Sequence, residues 1–135
     1  MRRWIAGACL VTLGLGATPA LSEIRTTVCT FPKLVRSTIM PEVRIIHDTE
    51  TSATLVDDAF IARFNGEPRP AQVDHRKVQG REFFIVEWRV ERVPAKMFGQ
   101  WGTHFDFILR VDSDANAVIE SFNGFDRTTA KGSCS

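Results

Sequence analysis

The chain has 135 residues, with 17 Lys and Arg against 16 Asp and Glu, a formal net charge of +1. That length allows one domain at most. A balance this near neutrality does not point to nucleic acid or to an anionic membrane as a partner.

Residues 1–22 read as a secretory signal peptide. Met1-Arg2-Arg3 is a short positive stretch, Trp4 to Gly16 is apolar or small, and Ala20-Leu21-Ser22 offers small residues at signal-peptidase spacing. The apolar run is short for a membrane span, and the polar Glu23, Arg25, Thr26 and Thr27 that follow are no stop-transfer signal, so no span is expected after cleavage. Cleavage after Ser22 fits best, with Ala20 the alternative. Arg2-Arg3 lacks the flanking residues of twin-arginine export. Cys9 lies within the apolar run, not after it, so it is no lipoprotein anchor. The expected location is the periplasm or the exterior. Without Arg2 and Arg3 the 17 basic residues fall to 15 against 16 acidic ones, a net charge near −1. Of three cysteines only Cys29 and Cys134 remain. In an oxidising compartment they have one possible pairing, a disulfide closing almost the whole domain.

In chain order, Val28–Val35 reads as a strand bent or confined to an edge by Pro32. Val43–His47 is a second strand, with Val43, Ile45 and His47 on one face. Ala53–Phe64 is contested. Val56, Phe60 and Phe64 fall at helical spacing, and Gly66 suits a helix cap. Phe60, Ala62 and Phe64 also alternate with Ile61, Arg63 and Asn65, Asp57-Asp58 suits a tight turn, and Asn65-Gly66 is a hairpin signal. Two strands are preferred. Glu67–Pro70, with two prolines in three residues, is expected as loop. Ala71–Val78 alternates weakly and ends in the turn Gln79-Gly80.

The clearest signal comes next. In Glu82–Val93, Phe84, Val86, Trp88 and Val90 alternate with Ile85, Glu87, Arg89 and Glu91. In His104–Val111, Phe105, Phe107, Leu109 and Val111 alternate with Asp106, Ile108 and Arg110. Such period-two patterns mean strands with one buried face. If the two pair, the register setting Arg89 opposite Asp106 and Glu91 opposite His104 is preferred. Its neighbour would set Glu91 against Asp106, although it offers Glu87 to Arg110. Val118–Phe125 is a further strand, in which Glu120 either points inward with Val118 and Phe122 or shows that the strand faces the other way. Asp126–Ser135 is a polar tail. Seven or eight short strands and no long helical pattern predict an all-β, single-domain antiparallel barrel or sandwich.

The candidate binding element is the connection Pro94–Thr103. Met97, Phe98 and Trp101 are costly to leave in water, so the loop is either a flap closing the barrel or a contact for a ligand or partner. Gly99-x-Trp101 is similar to the Gly-x-Trp element of lipocalins. In that family it lies on the first strand, so no lipocalin binding residue is carried over. His47, His75 and His104 have no metal-ligand spacing and read as surface histidines beside carboxylates. Asp112-x-Asp114-x-Asn116 opens like a calcium loop, but Ala117 and Asn123 occupy its glycine and glutamate positions, so a polar turn is expected. The stretch containing Arg63, Arg69, His75, Arg76, Lys77 and Arg81, interrupted by Glu67, Asp74 and Glu82, reads as a solvated face. No Gly-x-Ser-x-Gly, free cysteine beside a histidine or phosphate loop is present. No cofactor is called for, and enzyme activity is not expected.

Cys29-Thr30-Phe31 near the start, Phe84 to Glu87, Ala117-Val-Ile-Glu-Ser121, and Gly132-Ser133-Cys134 at the end form a layout that resembles a family of small exported bacterial proteins. The resemblance implies a disulfide-closed β domain and carries no activity. The expectation is therefore an exported binding module for a small apolar ligand or an envelope protein. An envelope enzyme or enzyme inhibitor, or a structural accessory protein, is the alternative.

Overall fold

A computed structural model describes residues 23–34, 37–94 and 104–135. Among them eight strands form a closed antiparallel barrel with neighbours in chain order: β1 (Ile24–Thr30), β2 (Glu42–Asp48), β3 (Thr54–Asp57), β4 (Arg69–Val78), β5 (Arg81–Glu91), β6 (His104–Asp112), β7 (Asn116–Phe122) and β8 (Arg127–Cys134). One short helix, α1 (Ala59–Asn65), lies between β3 and β4. The all-β expectation holds, and the barrel replaces the sandwich alternative. No described helix is long and apolar enough to cross a membrane.

The core is built from the alternating residues of the central strands. Val86, Trp88 and Val90 face Leu109, Phe107 and Phe105, and all six are buried. The register is the preferred one, with Arg89 opposite Asp106 and Glu91 opposite His104. β7 faces the other way from Val118 and Phe122: Ala117, Ile119 and Ser121 point inward, so Glu120 is on the outer surface.

Four expectations are corrected. Strand β1 ends at Thr30, before Pro32, and begins earlier, at Ile24. Its exposed Ile24–Thr27 half is held by its backbone ladder to β2, not by burial. The contested Ala53–Phe64 is strand, then helix. Asp58 is not a hairpin turn but the N-cap of α1, its carboxylate accepting from the Ile61 N–H at 2.8 Å. Gly66 ends the helix at φ 77°, and its N–H donates to the Ile61 carbonyl. The helix wins because it buries Phe60 and Ile61 together and sets Phe60 against Phe64 at 4.9 Å.

Arg69-Pro70 is strand, not loop, pairing with Val56 and Leu55. There the ladder to β5 has not begun; it starts at Gln72. Pro70 withholds an N–H on that side, and the carbonyl of Arg89 instead accepts from Arg69 Nε at 2.9 Å. The tail Asp126–Ser135 contains β8. Its buried positions are filled by Ala130 and Cys134, too small to register as hydrophobic alternation.

The barrel closes between β1 and β8 over a short seam. Cys29 pairs with Cys134 and Thr30 with Ser133, and Val28 and Ser135 exchange backbone hydrogen bonds. The expected disulfide joins Cys29 to Cys134 across that seam, with Cα atoms 3.9 Å apart. Just beyond it Phe31 turns into the core over Gly132.

Candidate functional site

The two ends of the barrel differ. One is plugged. Phe60 of α1 packs edge-on against Phe105 and Phe107 at 5.6 and 6.0 Å, while Ile39 and Val93 are buried beside the core. Thr38 reaches the inward-facing Ser121 by a hydrogen bond. Below the plug, the Trp88 and Phe107 rings stack in parallel at 5.2 Å. At this level the interior is filled by its own side chains. Trp88 Nε1 is buried there and has no hydrogen-bond partner among the described residues.

The other end is open, for a reason visible in strand lengths. β3 has four residues and β4 has ten, so β4 pairs with β3 only through Arg69–Ala71. From Gln72 to Val78 it pairs with β5 alone, and the β4–β5 hairpin projects past the barrel rim. Gln79 and Gly80 form its turn at φ 52° and 79°, the mirror-image turn that suits strand twist. Alternation then sends His75, Lys77, Glu82 and Phe84 to the concave side, with Val111 of β6 opposite Phe84.

These residues line a hollow of about 370 Å³, which Arg76, Phe83, Asp112 and Ser113 also border. Its floor is Phe84 and Val111, both packed against the core. The His75 ring lies 5.0 Å from that of Phe84. Among the described residues His75, Lys77 and Glu82 make no ion pair, although Lys77 and Glu82 sit opposite each other. The outer face of the same strands is different. Arg76 pairs with Asp74 at 2.9 Å, Arg81 with Asp112 at 2.6 Å and Arg89 with Asp106 at 2.7 Å. Glu120 is clamped between Arg110 and Arg127 at 2.7 and 2.9 Å, and these two guanidiniums hold its carboxyl below the usual range.

A second groove of about 580 Å³ crosses that outer face. Ile108 and Phe122 form its apolar patch and Gln72, Glu87, Arg89 and Arg127 its rim, with the Arg127 guanidinium 5.0 Å from the Phe122 ring centre.

Of the sequence candidates, Cys29 and Cys134 are joined as expected. Met97, Phe98 and Trp101 lie outside the described residues, as does the expected signal peptide. The histidines do not share one environment. His104 Nε2 lies 3.8 Å from the Asp106 carboxylate; His47 Nδ1 is 2.9 Å from Thr54 Oγ1, and His75 packs on Phe84. The Asp112 carboxylate accepts from the N–H groups of Asp114 and Asn116 and from Arg81, and these contacts hold it below the ordinary value. The stretch read as one solvated face is split by alternation: Asp74 and Arg76 lie on the outer face and His75 and Lys77 on the concave one, with Arg76 also bordering the mouth. The signal that could have found the mouth is the mismatch between a four-residue strand and the long hairpin after it. Comparison with protein-family models, with curated proteins and with solved structures returns no match for this chain.

Proposed function

We propose that the protein is an exported binding module, with residues 1–22 as its signal peptide, and that the open mouth is its binding site. The observation that carries this reading is the contrast in charge pairing. Among the described residues the outward-facing ions on β4 to β8 are largely satisfied by one another, whereas His75, Lys77 and Glu82 on the concave side of the mouth form no ion pair above its apolar floor. Barrel mouths with a few convergent polar groups over apolar walls are common ligand sites. The fitting ligand has an apolar group for Phe84 and Val111 and an ionic or hydrogen-bonding group for Lys77 or His75. Native mass spectrometry of the protein purified from its native host tests this. A retained ligand should be lost in Val111→Arg and weakened in Lys77→Glu, both checked for an unchanged fold. A ligand held equally by both variants would overturn the assignment.

The second reading places an envelope protein on the Pro94–Thr103 connection. Its support is that this connection leaves the sheet from Glu91 and returns at His104, two residue pairs along the ladder from the Arg89–Asp106 pair that lines the outer groove. Deleting 96–101 would abolish partner binding on this reading and spare ligand binding on the first.

A further inference from the structure

The backbone beside the mouth carries its own chemistry. In a two-residue hairpin the flanking pair, here Val78 and Arg81, is hydrogen-bonded. Even-numbered residues of β4 therefore turn their N–H and C=O groups toward β5, and odd-numbered ones turn away. Two independent contacts agree with this parity. The Arg89 carbonyl, facing Pro70, takes the Arg69 side chain instead. Glu91, the next residue whose backbone faces the β4 side, is bonded at both N–H and C=O by the Asn65 side chain.

On the far side of β4, Arg69 and Ala71 are matched by Val56 and Thr54. Val73, His75 and Lys77 lie beyond the start of β3. Among the described residues no strand or backbone hydrogen bond meets them there. This edge runs about 13 Å, and its inward side chains are those of the mouth.

We infer that the mouth takes an extended polypeptide segment, added as a strand along the Val73–Lys77 edge of β4. The inference rests on the mouth being the binding site and narrows its ligand class. Unpaired N–H and C=O groups at strand spacing are what strand addition uses, while neighbouring pockets read alternate side chains. Side chains of the added strand opposite Val73, His75 and Lys77 share the inward face. An apolar one reaches Phe84 and Val111, and an acidic one meets Lys77. A second copy of this chain is the poorer occupant, because in the fully overlapped antiparallel register Lys77 would stand opposite Val73 and His75 opposite its own counterpart, leaving Lys77 without an acidic partner. The Asp74 carboxylate, drawn mainly to Arg76, also faces the His75 amide, and the incoming strand displaces it from there.

The test is a displayed library of random linear octapeptides panned against the oxidised, folded protein, followed by amide exchange of the labelled protein with a selected peptide. Val73, His75 and Lys77 amides should slow at least about tenfold, with Asp74 and Arg76, already bonded to β5, unchanged. Lys77→Pro, which removes an edge N–H, should abolish binding, whereas Lys77→Ala, which keeps that N–H and loses only the side-chain contact, should weaken it in part. The inference is overturned if no peptide is enriched, if protection lacks the period of two, or if folded Lys77→Pro binds normally. A non-peptide ligand lost in Val111→Arg would overturn it while leaving the mouth as the site.

Discussion

Arg89 and Asp106 stand directly opposite on β5 and β6, and the guanidinium donates from Nε and Nη2 to both carboxylate oxygens at 2.7 and 3.2 Å. The hydrogen bond to Asp106 is the main cause of the raised Arg89 pKa. A slip of this ladder by two residues would put like charges opposite and misalign the Trp88–Phe107 stack, so the pair reinforces a register that the core already demands.

Arg89→Glu should therefore lower the melting temperature, and Arg89→Glu combined with Asp106→Arg should recover most of the loss. Both side chains are about half exposed, so the difference should shrink in high salt. Thermal melts of the single and double variants at low and high ionic strength check this. Failure of the swap to recover stability would remove the pair from the register argument.

Asp58 caps α1 from a buried position, and burial is the main cause of its pKa rising from 3.8 to about 6, against the lowering effect of the Ile61 and Phe60 amides. The folded state thus holds this proton more tightly than the unfolded chain. Its contribution is fully present below about pH 3.8 and is lost as pH rises through about 6. At neutral pH ionisation costs at most about 3 kcal/mol. Asp58→Asn keeps a cap acceptor and no charge, so it should stabilise at pH 7 and flatten this part of the profile between pH 4 and 6. Urea midpoints across that range decide it.

Gly132 lies where a Cβ would stand 1.9 Å from the Thr30 carbonyl oxygen and 2.7 Å from Phe31. The first neighbour is backbone at the barrel seam and cannot swing away. Gly132→Ala should cost at least about 1–3 kcal/mol, whereas Ala130→Gly, one inward position along, should cost much less than a shifted seam. Chemical denaturation of the two variants gives the comparison.

The Cys29–Cys134 bond crosses a ladder of only a few residues and closes a loop of 105 residues in separation. Reduction, or replacing both cysteines with serine, should destabilise by up to roughly 4–5 kcal/mol on the chain-entropy account. Exchange should rise first at the Val28 and Ser135 amides. Hydrogen exchange with and without reductant reads both effects.

The disulfide partners, the central strand pair and its register were legible in the order of residues alone. Each depends on local alternation, on opposed charges or on the single pairing that two cysteines allow. The helix at Ala59–Asn65 emerged from the folded packing, because the segment carries both periods and burial of Phe60 against Phe105 and Phe107 chooses between them. The same packing also revealed β8, whose small inward residues make room for Phe31 and so leave no hydrophobic trace. The mouth belongs to the same class. His75 and Lys77 differ from Arg76 in no way that composition records. What separates them is the face of β4 they occupy and the early end of β3, beyond which no described strand pairs with that edge.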